Sequence, residues 1–459
     1  MSANNAPLVD PSALLIRHVL YPLWALKNGS SRLRYLADLE KSQYWSASRL
    51  IDQQWAFFKT MVAHAYETCP YYRQKFRKAG ISPGDLHSRA DIDGIPTIAK
   101  EEIQEHWNEM VSTKYSAESL IRDMTGGSTG SPVQFYYDKD RLDSRVGAIL
   151  RHNRWAGWEI GDRAAILWGA PQDTKVSGKL RDRIRTWIHE RRLILDASAL
   201  SEAVMADFAR ELIRYRPTVL QAYSNTLGLF ARYVQAQKIE GIRPRGIVCS
   251  AEVLTEDNRR LIEETFGCAV YNRYGCREFA VIASECDAHQ GLHINAENLL
   301  VEVVQNGRSC RGEDGEIVVT DLRNFAMPMI RYRIRDMGRI KEKSCACLRG
   351  LPLMELSGGR VTDFLTATDG SKVSGIVVAT YVITNLAGIR QMQFVQNERG
   401  SVTINVVKGH EWSSQTLIDL TARVHKYLGN DMRLQLIFRD NIPLERSGKY
   451  RFSISTLHS

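Results

Sequence analysis

The rhythm of apolar and polar positions changes twice along the chain. Residues 13 to about 110 read as mainly helical and rich in aromatics, as in QQWAFFKTMVAHAYE, with Pro70, Gly80, Pro83, Gly84, Gly94 and Pro96 punctuating the second half. From about 115 to 355, short strand-like runs alternate with helical ones. Val204, Phe208 and Leu212 recur at helical spacing, and TVLQAY and RGIVCS read as strands. Thr255 caps a helix through EDNRRLIEETF, Gly267 ends it, and AVYNRY is a further strand. This alternation predicts an α/β domain with largely buried strands. The last hundred residues have their own pattern. SVTINVV (401–407) is a strand, Leu417, Leu420, Val424 and Leu428 mark one helical face, and MRLQLIF (432–438) alternates as a strand. The expected organisation is a mainly helical region over 1–110, an α/β domain over 111–362 and a small α+β domain over 363–459. The join falls at LSGGRVTDF (356–364), where Gly358 and Gly359 make either a hinge or a plain turn.

Composition narrows the function classes. The 459 residues exceed one ordinary core, and 44% apolar with 25% charged residues is the balance of a soluble globular protein. The 61 basic against 52 acidic residues leave +9 without a Lys/Arg block. That charge points to small anionic ligands or an anionic surface, not to nucleic acid. ALLIRHVLYPLWAL (13–26) is short and interrupted by Arg17 and His18, so no transmembrane segment is expected there. It reads as a helix packed on the main domain, with peripheral membrane contact as the alternative. MSANNAPLVD has no secretory pattern, so a cytoplasmic, reducing setting is expected, with the eight cysteines as core thiols or metal ligands.

Four stretches carry candidate chemistry. In TGGSTGSP (125–132), Gly126, Gly127 and Gly130 let backbone N–H groups converge on phosphate oxygens, and Thr125, Ser128, Thr129 and Ser131 can add hydroxyl donors; a flexible turn is the alternative. In YGCRE (274–278), Tyr274 can stack on a base and Glu278 can hold a hard divalent cation. Asp336, after the run IRYRIR, can accept from ribose hydroxyls. Lys449, after a Ser-Gly turn in ERSGKYR, is either solvated surface or a mobile ammonium that enters a site on domain closure. Separately, CAC (Cys345, Cys347) with Cys286 and either His289 or His293 offers the ligand types of a closed tetrahedral Zn²⁺ site.

In order and spacing, these stretches resemble the adenylate-forming (AMP-forming) acyl-CoA ligase superfamily. The resemblance is to the phenylacetate–CoA ligase-like branch, which includes members associated with capsular-polysaccharide biosynthesis. It runs from AYETCPYYRQKFRKAGI (65–81) through TGGSTGSP, SAEVL (250–254), YGCRE, MIRYRIRDMG and GGRVTDF to SGKYR. It implies a large adenylate-forming domain with a small mobile C-terminal lid. Residues Thr125 to Gly130 would hold the ATP β- and γ-phosphates, and Ala251 and Glu252 would wall the adenine and acyl pocket. Tyr274 would stack on adenine, Glu278 bind Mg²⁺, Asp336 hold the ribose and Arg360 contact nucleotide. Asp363 would be the hinge, and Lys449 would bridge the carboxylate and α-phosphate. The same resemblance favours His293 as the histidine beside Cys286, Cys345 and Cys347.

The activity implied is ATP-dependent acyl-adenylate formation with release of pyrophosphate, then transfer to a thiol, with free CoA or a separate acceptor as partner. Two alternatives are an adenylyltransferase that leaves AMP on a hydroxyl and a non-catalytic nucleotide-binding component of a polysaccharide-assembly complex. Two positions depart from the family pattern. Arg277 stands where Thr or Ser is common, and Arg335 where Gly is. Their charge is expected to suit an anionic substrate or to weaken the thioester step. Trp168 is a candidate wall for the acid, whose identity the sequence does not disclose.

Overall fold

The computed structural model describes residues 10–124, 133–168, 191–196, 202–358, 364–370, 372–374, 386, 388–443 and 453–457. Before the main sheet comes a short antiparallel pair, β1 (Ile121–Met124) and β2 (Gln134–Tyr137), in which Met124 faces Gln134. These strands flank TGGSTGSP, which lies outside the described residues, as do Arg360, Asp363 and Lys449.

Twelve strands then form one sheet with two characters. Its first half is parallel: β3 (Ala164–Trp168), β4 (Arg192–Asp196), β5 (Val219–Tyr223), β6 (Gly246–Ser250) and β7 (Ala269–Cys276) lie in the order β4-β3-β5-β6-β7. Helices Glu202–Tyr215, Ser224–Ala236 and Glu256–Phe266 intervene along the chain, as right-handed crossovers require. All five residues of β6 are buried, which is why RGIVCS reads as an unbroken apolar run. Thr255 accepts a hydrogen bond from the Asn258 N–H at the start of the last of these helices, and Gly267 ends it at φ 68°.

The second half is antiparallel. β8 (Ala280–Glu285), β9 (Leu292–Ile294), β10 (Leu299–Gln305), β11 (Arg308–Ser309), β12 (Gly315–Asp321), β13 (Tyr332–Ile340) and β14 (Leu353–Gly358) follow β7 in the order β8-β9-β14-β13-β12-β10-β11.

Buried ion pairs brace this half. Helix Lys139–Trp155 sends Arg141 to Asp321 at 2.7 Å and Arg151 to Glu297 at 2.6 Å, and Arg331 reaches Glu302 at 3.0 Å. Removing one partner of such a pair strands a buried charge, so these contacts fix position more than they add net stability.

The C-terminal domain has a core of its own. β17 (Ile389–Glu398), β18 (Ser401–Lys408), β19 (Arg433–Phe438) and β20 (Ser453–Ser455) form a sheet in the order β19-β18-β17-β20, beside a short hairpin of β15 (Phe364–Thr366) and β16 (Lys372–Ser374). Met392, Phe394, Val402, Ile404 and Val406 pack against helix Ser414–Leu428. The helical face differs from the expected one at its start. Leu417 is exposed, and the buried line is Thr416, Leu420, Val424, Leu428, because Thr416 makes the reciprocal capping hydrogen bonds with Ser413.

Candidate active site

The parallel strands end along one edge. Trp168 at the end of β3 stacks on Tyr223 at the end of β5, with centroids 4.0 Å apart. Beyond β6 the chain turns at Ala251 with φ 67°, an uncommon conformation for a residue with a Cβ, and Ser224 Oγ donates to the Glu252 carbonyl at 3.3 Å. In open α/β sheets ligands gather at such carboxyl ends. Ala251, Glu252 and Tyr274 therefore lie along this carboxyl edge.

Tyr274 and Asp336 meet directly. The Tyr274 hydroxyl donates to Asp336 Oδ2 at 2.8 Å, although 62 residues separate them. Each stands at an irregularity in its ladder. Pairing of β7 with β8 slips between Tyr274 and Gly275, and that of β12 with β13 slips between Glu316 and Val318, leaving the residues around Asp336 out of step. Bulges re-aim side chains, and here they turn a phenol and a carboxylate toward each other. Gly275 is obligatory at the first bulge, because a Cβ there would lie 2.1 Å from the Ala280 carbonyl oxygen.

Glu278 is held from both sides. Tyr332 Oη donates to its carboxylate at 3.3 Å, and burial, with Glu278 nearby, pushes that phenol far up, so it stays a donor. Arg145 Nη2 donates to the Arg277 carbonyl at 2.6 Å, and Arg141 Nη2 lies 3.5 Å from the Phe279 carbonyl. One helix thus braces the peptide groups on both sides of Glu278. Cys276, two residues earlier, has its thiol pushed well up by burial and by Glu278, which leaves it a neutral neighbour and no nucleophile.

Sequence reading missed Arg145, which nothing local marks, and passed over Tyr332 although it lies within the run MIRYRIRDMG. It also expected the charge of Arg335 to bear on the site. Arg335 takes φ 68° at the bulge and its guanidinium pairs with Glu101 on helix Lys100–Met110, while its charge also acts on the Tyr332 phenol beside Glu278.

A second cluster lies on the antiparallel half. Ligand-type atoms of Cys286, His293, Cys345 and Cys347 all fall within 4.8 Å of one another. Cys286 Sγ is 3.6 Å from Cys345 Sγ, and Cys347 Sγ is 3.2 Å from His293 Nε2. His293 Nδ1 faces the Leu351 carbonyl at 3.3 Å, which turns Nε2 into the cluster. Burial depresses His293 to about 4, so the imidazole is neutral. Burial also raises the Cys286 thiol to about 12, whereas Cys347, despite burial, is lowered by hydrogen bonds from Arg349. His289 lies elsewhere, with Nδ1 3.3 Å from Glu285 and its ring against Tyr271.

Comparison with known proteins gives three kinds of likeness. Residues 365–456 match the family described as the CapK C-terminal domain. Over 410 residues the chain is 24% identical to protein CapK of Staphylococcus aureus, covering 87% of this chain and 88% of that one. It is 26% identical over 318 residues to phenylacetate–coenzyme A ligase of Escherichia coli (strain K12), covering 67% and 70% of the two chains. Among solved structures, 2-hydroxyisobutyryl-CoA ligase in the postadenylation state with 2-HIB-AMP superposes with a TM-score of 0.72 at 18% identity, over 88% of each chain.

Proposed function

We propose that this chain, which belongs to the adenylate-forming acyl-CoA ligase superfamily on the branch of the phenylacetate–CoA ligases and CapK, joins a small-molecule carboxylic acid to a thiol at the expense of ATP. The observation that carries this reading is the Tyr274–Asp336 hydrogen bond beside Glu278, at the carboxyl edge of the parallel strands. Adenine would lie against Tyr274 and the ribose hydroxyls would donate to Asp336. Ala251 and Glu252 would wall the base and the acid, and Arg360 would touch the nucleotide.

In the first half-reaction a carboxylate oxygen attacks the α-phosphorus, the bond to the bridging oxygen of the β-phosphate breaks, and pyrophosphate leaves with that electron pair. Both reactants are anions, so barrier lowering must come from fixed positive charge and N–H donors, with no proton transfer required. Residues Thr125 to Gly130 supply the donors and Lys449 the cation between carboxylate and α-phosphate. Glu278 is the residue to hold Mg²⁺, which supplies charge neutralisation at the phosphates. In the second half-reaction a thiolate, with CoA the favoured source, attacks the acyl carbon and AMP leaves. Rotation of residues 363–459 about Gly358, Gly359 and Asp363 would exchange Lys449 for the thiol.

Cys286, His293, Cys345 and Cys347 fit Zn²⁺: three thiols and a neutral imidazole suit a closed structural site that would tie β8, β9 and the turn before β14 together. The resemblance to capsule-associated members supports a step in polysaccharide assembly.

Pyrophosphate release screened over aromatic, fatty, amino and sugar acids tests this reading. One acid should drive release together with AMP formation, and with CoA present it should yield a thioester by mass spectrometry. An AMP adduct on an alcohol would instead establish nucleotidyl transfer, and no release with any acid would remove catalysis.

A further inference from the structure

The first described helical segment has a face that stays exposed among the described residues. It runs as helix Pro11–Leu15, a π turn over Ile16–Leu20, and helix Tyr21–Lys27. Ala13, Ile16, Tyr21 and Ala25 are buried, and Ile16 and Tyr21 pack with Leu36, Leu150, Trp158 and Ile160. Leu14, Leu15, Val19, Leu23 and Leu26 are exposed to 40%, 51%, 43%, 59% and 79%. These five make up a large share of the exposed large apolar side chains among the described residues, and all lie within thirteen positions.

The π turn aligns them. In an uninterrupted α-helix, Leu14 would stand on the opposite side from Leu23, about 180° away. A π turn advances each residue by less, and across Ile16–Leu20 the difference brings the five exposed side chains into an arc of about 100°. The four buried ones gather on the other side. An irregularity that gathers exposed apolar groups into one stripe works against solubility and in favour of a partner.

Charge identifies the partner. From residue 11 to residue 37 there are four Lys or Arg and no Asp or Glu. Arg17 and Arg32 are taken up by Asp162 and Asp143, and Arg34 lies near Asp140 at 3.8 Å. His18 and Lys27 remain exposed on the segment, and Lys139 Nζ donates to the Asn28 carbonyl at its end. A second copy meeting this face about a two-fold axis would set these cations against themselves. No helix among the described residues is long and apolar enough to cross a membrane.

We infer that Leu14, Leu15, Val19, Leu23 and Leu26 seat the protein on an anionic lipid surface, with the segment lying in the headgroup plane and Lys27 at its rim. The site proposed above is not involved, so this inference stands or falls by itself.

The test is sedimentation of the full chain with vesicles of phosphatidylcholine and phosphatidylglycerol in equal parts, against phosphatidylcholine alone. The wild type should bind the anionic vesicles, and added salt should weaken binding. Leu23→Asp with Leu26→Asp should lower affinity by at least about tenfold, and Lys27→Gln by about fivefold. Thermal melting should be unchanged in both variants, which separates lost docking from misfolding. Equal binding to neutral vesicles would overturn the charge-based assignment. Absence of vesicle binding would overturn the whole, as would a dimer by light scattering that the double variant dissociates, since that would give the stripe to a second copy.

Discussion

The nucleotide edge and the thiol cluster are built from neighbouring strands and solve opposite problems. At the edge, Tyr274, Asp336, Tyr332 and Glu278 bond to one another in pairs, and the cation proposed for the chemistry, Lys449, stands 113 residues further along the chain than Asp336. At the cluster, four ligand-type atoms from three segments already lie within 4.8 Å and need nothing from outside but a metal. Under the proposed cycle, the edge would receive charge from the C-terminal domain and give it up again. The other, with zinc bound as proposed, would serve to hold strands in place.

The sharpest way to break this contrast is Lys449→Ala. If the edge depends on an imported cation, acid-dependent pyrophosphate exchange should fall by about 10²–10³-fold, while ATP binding by calorimetry stays nearly intact. Exchange at the wild-type rate would mean that the edge is complete without the tail. Next in size is Cys345→Ser. About one zinc per chain is expected in the wild type by elemental analysis, and the variant should lose most of it and melt several degrees lower. Residual activity measured well below that melting point should keep its KM for ATP. A shift in that KM would tie the cluster to chemistry, and an absence of metal in the wild type would end the zinc assignment.

Residue type carried the cluster and residue order carried the edge. Two cysteines spaced by one residue, with Cys286 and two nearby histidines, announce soft ligands; the resemblance favoured His293, and the fold sets His293 with the three thiols and His289 against Glu285 and Tyr271. The parallel strands were legible because burial on both faces writes an unbroken apolar run, as in β6. The bulges at Tyr274 and near Asp336 were not, since a ladder slip depends on the partner strand. Arg145 was invisible for the same reason, because its carbonyl partner is 132 residues away. The π turn near the N-terminus likewise leaves no mark in the apolar pattern, and without it the exposed leucines look scattered.

Arg145→Met addresses the edge more gently. Losing the donor to the Arg277 carbonyl loosens the peptide that carries Glu278, and kcat should drop by roughly tenfold with little change in the KM for ATP. Arg145→Lys should recover part of it. An unchanged kcat would show that Arg141 and Tyr332 suffice to hold Glu278.

The smallest effect concerns His152, between the two regions on helix Lys139–Trp155. Its ring is fully buried against Trp155 at 4.4 Å, and neither ring nitrogen has a hydrogen-bond partner among the described residues. Burial, reinforced by Arg151 and Arg273, holds it well below 6.5, so it is neutral in the folded chain. The unfolded chain takes up a proton on this histidine as pH falls below its ordinary value, and the folded chain does not. Unfolding therefore binds a proton, and stability present above about pH 6.5 is lost on acidification by at most about 1.4 kcal/mol per pH unit. His64, also lowered by burial, adds a term of the same sign. His152→Phe keeps a ring against Trp155 and removes the titration. Denaturant unfolding between about pH 6.5 and pH 5 should then show a shallower loss of stability than in the wild type. Parallel slopes would mean that His152 is protonated in the fold after all, and that the cationic surroundings of the helix are offset by a group nearer than Arg151.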